Sequence, residues 1–250
     1  MANFMKSPEQ ALIALPVYNE AATIHAVLDQ VVGYGHPVLV VNDGSTDDTL
    51  KLLEQRDDIT VITHENNSGY GAALLTAFAY AREQKFDVVV TMDCDGQHEP
   101  QLIPKFIKAC RSADIVSGSR YLKQFPGQSQ PPAQRLFINR RVTSELNRLL
   151  GFQLTDAFCG FKAYRVEALA KLDVTETGYA MPLELWVEAA KAGLNIVELP
   201  VPLIYLDENR SFGGALDDGG TRLNYYHFVL DRSLARSGLT KAGVHALASC

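Results

Sequence analysis

The chain has 250 residues, 47% of them hydrophobic and 21% charged, with a formal net charge of −6 at pH 7. That length fits one α/β domain, and a chain this long buries a core without disulfides. The acidic balance excludes a broad nucleic-acid surface and leaves room for a small basic pocket around a phosphorylated ligand.

In the first half, strand and helix signals alternate. Short apolar runs at Ala11–Val17, 37–41, 59–63, 87–92 and 114–117 read as strands buried on both faces. Helical patterns at 21–32, 46–55, 71–83 and 101–110 lie between them. The alternation predicts βαβ units, hence an α/β fold with a mainly parallel sheet flanked by helices. Asn19 and Glu20 precede the first helix, residues 45–48 offer acceptors to the second, and Pro100 opens the fourth.

After Arg120 the pattern changes. Residues 123–132 are rich in Gln, Pro, Gly and Ser and read as a loop. A helix over 134–150 carries Arg135, Arg140, Arg141 and Arg148. A strand at 161–164, a helix at 182–192 and a strand at 195–200 follow. Residues 211–220 are rich in Gly and Asp and read as mobile, and a helical pattern runs over 221–236. Cys94, Cys110, Cys159 and Cys250 show no CxxC spacing, so reduced thiols in a cytoplasmic protein are expected rather than a zinc site or a disulfide framework. Residues 1–10 lack the apolar stretch of a signal peptide, and no run approaches bilayer length; membrane contact is expected to be peripheral or through a partner.

In an open parallel sheet, ligands collect at the carboxyl ends of the strands. Three polar clusters are expected there: Pro16-Val17-Tyr18-Asn19-Glu20 after the first strand, residues 42–48 after the second, and Asp93-Cys94-Asp95-Gly96-Gln97-His98 after the fourth. Asp93 and Asp95 would face opposite sides of a continuing strand, so Gly96 is read as the turn that lets both serve one site. One carboxylate would meet a ribose hydroxyl and the other a hard divalent cation, Mg²⁺ or Mn²⁺, which prefers oxygen ligands and bridges diphosphates.

On these residues the chain resembles the family 2 glycosyltransferases of the GT-A fold, and within them the polyprenyl-phosphate hexose transferases of the dolichyl-phosphate mannose synthase type. The resemblance rests on residues 16–20, 41–49 (VNDGSTDDT), 92–100 (MDCDGQHEP), 117–121 (SGSRY) and 156–162 (DAFCGFK), then Glu184 and 198–202 (ELPVP), in family order. It implies a single GT-A domain over 1–236, with a nucleotide-sugar half at 11–118, an acceptor half at 119–236 and a tail at 237–250. Pro16, Tyr18, Glu20 and Asp43 match the nucleoside-binding set, Asp43 near the base. Asp93 and Asp95 match the diphosphate and metal residues, with Gln97 as a third position near the metal. Arg120 and Arg210 match donor phosphate contacts. Arg140 and Ser211 match the acceptor-phosphate side. Asp156 falls where the family has an acid near the transferred sugar, and Glu184 in the helix that closes the sugar pocket.

The implied activity is an inverting, metal-dependent transfer of a hexose from a GDP- or UDP-sugar to polyprenyl phosphate, at the inner face of a membrane. A soluble hydroxyl acceptor is the alternative, with Asp156 and then Glu184 as the base. A non-catalytic nucleotide-sugar-binding protein is a further one. The chain departs from the subfamily after Arg210, where a hydroxyl and a Lys are replaced by Ala215 and Leu216. Plainer readings stand beside these: Asp156 capping a turn before Phe158, Glu184 as a first-turn helix charge, Arg120, Arg140 and Arg141 as solvated charges, and His98 as a surface residue without a catalytic role.

Overall fold

The computed structural model describes residues 10–206 and 213–239. Among them, seven strands form one sheet: β1 (Ala11–Val17), β2 (Val38–Asn42), β3 (Thr60–Thr63), β4 (Val88–Thr91), β5 (Ile115–Ser119), β6 (Lys162–Arg165) and β7 (Ile196–Pro200). Their spatial order is β3-β2-β1-β4-β6-β5-β7. β6 runs antiparallel to both β4 and β5, and the remaining pairs are parallel. The helices are α1 (Ile24–Val32), α2 (Thr49–Leu53), α3 (Tyr70–Glu83), α4 (Ile103–Ala109), α5 (Ala133–Leu150), α6 (Val166–Leu169), α7 (Met181–Lys191) and α8 (Gly219–Ser237). The mainly parallel α/β sheet expected from the alternation is the observed one.

Strand side chains alternate between two cores. Ala11, Ile13, Leu15 and Val17 of β1 pack with Val38, Val40, Val88 and Val90 against α1 and α4. Leu12 and Ala14 pack with Leu39, Val41 and Val89 against α3, α5, α7 and α8. Burial on both faces is why these segments read as continuous apolar runs.

Two local expectations change. Asn19 does not cap α1: its Oδ1 accepts the backbone N–H groups of Thr46 (2.8 Å) and Asp47 (3.3 Å), tying the loop after β1 to the loop after β2. Asp47 does serve α2, its Oδ1 accepting the Thr49 N–H at 3.0 Å. In the Gly/Asp-rich stretch, 214–217 form a 3₁₀ turn, and Asp218 caps α8 by accepting the Thr221 N–H at 2.7 Å.

The strand senses decide what meets at the carboxyl edge. β1, β2, β4, β5 and β7 all end there, while the antiparallel β6 starts there. The segment before β6, residues 156–161, is thereby delivered to the same edge as the Asp93–Asp95 turn. On the neighbouring side, the loop before α7 presses on the start of α3, where the Ala72 N–H donates to the Thr177 carbonyl at 3.0 Å. A Cβ on Gly71 would lie 2.5 Å from the Glu176 carbonyl oxygen. Helix propensity favours Ala there by up to about 1 kcal/mol, but overpacking against backbone costs about 1–3 kcal/mol. Gly71→Ala is therefore expected to lower Tm by roughly 2–6 °C in calorimetric melting, and an unchanged or raised Tm would show that this contact yields freely.

Candidate active site

Past the end of β4, the chain turns at Gly96, whose φ is 75°. Asp95 is closed into this turn: its Oδ1 accepts the Gln97 N–H at 2.9 Å and its Oδ2 accepts Gln97 Nε2 at 2.6 Å. Asp93 is held from three sides. The Tyr70 hydroxyl donates to its Oδ1 at 3.3 Å, and His98 Nε2 lies 3.8 Å from its Oδ2. The third side is Gly160, where a Cβ would stand 2.5 Å from Oδ2 and 2.8 Å from Oδ1, so a larger residue there would push this carboxylate aside. The residues that β4 and β6 bring together here are thus Asp93, Asp95, Gln97 and Gly160.

His98 is not a surface residue. Its side chain is 9% exposed, its ring lies against Phe161, and Nδ1 accepts the Asp93 backbone N–H at 3.0 Å. That accepted bond leaves the ring proton on Nε2, toward the Asp93 carboxylate. The pattern of a His two residues beyond Gly96 was visible in the sequence; its burial was not.

The acid that the resemblance puts near the transferred sugar is Asp156, and the structure pairs it with Arg120. Asp156 is fully buried. Its Oδ2 accepts Arg120 Nε at 2.6 Å, and its Oδ1 accepts Arg120 Nη2 at 2.9 Å, Asn139 Nδ2 at 2.8 Å and the Phe158 N–H at 3.1 Å. Burial pushes its pKa up, but the Arg120 charge and hydrogen bonds outweigh that and hold it below the usual carboxylate range. Arg120 in turn is held well above its ordinary value: burial works against its charge, and Asp156 more than restores it. A general base needs an open lone pair facing the acceptor, and both oxygens of Asp156 are engaged. Its observed work is to orient Arg120 and, as the plainer reading had it, to cap the turn at Phe158. Beneath it, Glu198 of β7 accepts the N–H groups of Thr155 and Asp156 at 2.8 and 3.1 Å, with its pKa raised by burial.

Glu184 is likewise engaged inside the protein. It is 1% exposed; it accepts the N–H groups of Thr175 (2.8 Å) and Glu176 (2.5 Å), and it pairs with Arg236 of α8. It clamps the loop before α7 to the last long helix.

The nucleoside set divides. Pro16 is half-buried in β1, Tyr18 is 41% exposed at its end, and Glu20 is buried, accepting the Thr23 hydroxyl at 3.1 Å. Asp43, expected near the base, is 3% exposed. Its carboxylate accepts the N–H groups of Ser68 (2.9 Å) and Gly69 (2.8 Å) and meets His64 Nδ1 at 2.7 Å. It fixes the loop before α3 rather than presenting open oxygens. Arg140 stands on the exposed side of α5, opposite to the buried Asn139; its charge is felt at Tyr121, whose pKa burial nonetheless pushes up to about 12. Arg210 and Ser211 lie outside the described residues.

The sequence reading missed Tyr70, Asn139 and Lys162. Lys162 lies within the DAFCGFK segment but carries its own signal, a cation opening a buried strand. It is 3% exposed, its ammonium donates to the Cys159 carbonyl and sits 5.5 Å from the Trp186 ring centre, and burial lowers its pKa.

The donor set at the turn is oxygen only: the carboxylates of Asp93 and Asp95 and the Gln97 amide oxygen. Among the described residues, no group of three or more His, Cys, Asp or Glu forms a metal-holding cluster. The set fits a hard cation such as Mg²⁺ or Mn²⁺ that takes one or two carboxylates and completes its shell with phosphate oxygens and water.

A family model described as Glycosyl transferase family 2 matches residues 12–173. The chain is 30% identical over 222 residues to undecaprenyl-phosphate mannosyltransferase of Micrococcus luteus, covering 84% of this chain and 90% of that protein. It is 31% identical over 211 residues to polyprenol monophosphomannose synthase of Mycolicibacterium smegmatis, covering 79% and 78%. Glucosyl-3-phosphoglycerate synthase from Mycobacterium tuberculosis, solved with Mn²⁺, uridine diphosphate and glucosyl-3-phosphoglycerate, superposes with a TM-score of 0.68 at 21% identity, covering 94% of this chain and 82% of that one. The fold is GT-A, the match spans the turn after β4 and the Asp156 segment alike, and the chain belongs to glycosyl transferase family 2 and is a glycosyltransferase.

Proposed function

We propose that the protein transfers a hexose from a nucleoside-diphosphate sugar to a polyprenyl phosphate, with inversion at the anomeric carbon. One observation carries the choice of acceptor: both carboxylates that would serve as general base, Asp156 and Glu184, have their oxygens engaged inside the protein. A hydroxyl acceptor needs a base to take its proton; a phosphate acceptor is already anionic and needs cationic groups to place it. Arg120 offers such a group. Nε and Nη2 are held by Asp156, which leaves the Nη1 edge to meet a phosphate. The names of the two bacterial relatives support the same acceptor class.

In the proposed step, a phosphate oxygen of the acceptor forms a bond to the anomeric carbon as the bond from that carbon to the donor diphosphate breaks. The bonding pair leaves with the nucleoside diphosphate. A divalent cation at the turn would stabilise the charge growing on that leaving group, and the Mn²⁺ in the M. tuberculosis synthase supports a cation here. Asp93, Asp95 and Gln97 would hold it. Asp156 keeps Arg120 extended toward the acceptor.

A lipid acceptor places the work at a membrane surface. No helix of the described residues is long and apolar enough to cross a membrane. The exposed face of α5 carries Phe137 (58% exposed), Arg140, Arg141 and Arg148, and a groove of about 470 Å³ there is lined by Ala133, Leu136, Phe137, Arg140 and Arg141. An aromatic flanked by arginines, on a chain of net charge −6, suits peripheral attachment to anionic lipid.

Three outcomes are expected. Asp95→Asn should abolish the gain in nucleoside-diphosphate affinity that Mn²⁺ brings, measured by calorimetry with and without the metal; an affinity equal to that of the parent chain would remove Asp95 from the cation site. Asp156→Asn should keep kcat toward a short-chain polyprenyl phosphate well above the roughly 10²–10⁴-fold loss typical of a missing base, and raise KM instead. The sign of its pKa shift agrees: the carboxylate stays ionised above its ordinary value near ~3.9, and the stability of the Arg120 pair is lost only as pH falls through the lowered folded value. Between pH 6 and 8 the rate should therefore show no limb from Asp156. Robust transfer to soluble sugars, with none to any polyprenyl phosphate, would overturn the acceptor. Third, the parent chain should sediment with phosphatidylglycerol vesicles and Phe137→Glu should not, while both keep the same Tm.

A further inference from the structure

Tyr70, the first residue of α3, connects two halves of the site that are remote in sequence. Its hydroxyl donates to Asp93 Oδ1 at 3.3 Å. The two residues before it, Ser68 and Gly69, give their N–H groups to Asp43. Three consecutive residues thus bind the carboxylate that ends β2 and the one beyond β4. Gly160 lies against both oxygens of Asp93 and His98 beside Oδ2, while Tyr70 donates a side-chain hydrogen bond to Oδ1 and so biases how the carboxylate is turned.

Tyr70 is itself held. Its ring stacks on Tyr179 with centroids 5.9 Å apart and planes 12° from parallel. Tyr179 belongs to the loop before α7, whose Thr177 carbonyl accepts the Ala72 N–H and whose Glu176 is gripped by Tyr225 and, at 2.5 Å, by Arg232, both from α8.

We propose that Tyr70 is a positioning residue that fixes the Asp93 carboxylate for the diphosphate and cation of the donor, and that Tyr179 fixes Tyr70. This rests on the donor reading given above, and concerns a residue to which that reading gives no part. The hydroxyl acts through Asp93 and need not touch the nucleotide. Its loss should weaken the metal-assisted part of binding and leave the metal-free part alone.

The test is calorimetry of UDP and of GDP, each with and without Mn²⁺, on the parent chain, Tyr70→Phe, Tyr179→Phe and Tyr179→Leu. Tyr70→Phe keeps the ring and its stack, so Tm should not move. Its affinity for the Mn²⁺–nucleotide should fall by roughly three- to tenfold, the size of one ordinary hydrogen bond at this 3.3 Å separation, with metal-free affinity unchanged. In turnover, the donor KM should rise with kcat largely kept. Tyr179→Leu should shift metal-assisted affinity in the same direction, and Tyr179→Phe, which keeps the stack, should restore it. Tyr70→Phe binding the Mn²⁺–nucleotide as tightly as the parent, or losing metal-free affinity equally, overturns the proposal while the donor reading stands. A parent chain that binds neither nucleotide with Mn²⁺ overturns both.

Discussion

Crowding of carboxylates at one sheet edge is the constraint on which the rest of the site depends. Asp43, Asp93, Asp95 and Asp156 all follow strand ends or precede a strand start on that edge, with Glu198 just beneath. Like charges gathered in a partly dry cleft repel strongly unless each is given donors. The structure answers residue by residue. Asp43 takes backbone N–H groups, Asp156 takes a guanidinium and an amide, and Glu198 takes the Thr155 hydroxyl and two N–H groups, while Asp95 takes the Gln97 N–H groups within the turn proposed to hold the cation. Asp93, with its side chain 29% exposed, is left facing the cleft. Charge is thereby concentrated where a cation and diphosphate are proposed to sit, and neutralised elsewhere.

The parts of this arrangement that are local in sequence were the legible ones. Strands β1, β2 and β4 declare themselves by short Val- and Ile-rich runs, and a polar cluster after each falls at the shared edge once the sheet is parallel. Gly96 as the turn between strand end and Asp95 follows from backbone freedom alone. What was not legible depends on partners far along the chain. Glu184 is the first-turn helix charge it looks like, but nothing near it in sequence announces its partner Arg236. Asp156 is closed on by Arg120 and Asn139, 36 and 17 residues away in sequence, a pairing that no local pattern announces. His98 looks solvated because nothing in its neighbourhood predicts that Phe161 will cover it. In each case the residue type was read correctly and its availability was not, since availability is a property of packing.

The reversed strand β6 explains why the two halves of the site differ in this way. The donor half is built from successive strand ends and their own loops, so its motifs are contiguous. Residues 156–161 reach the same edge by another route, turned onto it by the antiparallel pairing of β6 with β4 and β5. That turn would expose carbonyls in a buried place. Lys162 satisfies Cys159, Trp186 Nε1 satisfies Ala157 at 2.9 Å, and the Thr91 hydroxyl satisfies Gly160 at 2.9 Å. The donors come from β6, α7 and β4, and with the carbonyls occupied, Gly160 can press against Asp93 while Asp156 reaches Arg120. The segment before β6 and the turn after β4 are separated at Asp93 by a single glycine. A bulkier residue at position 160 would therefore be felt at the carboxylate proposed to meet the diphosphate.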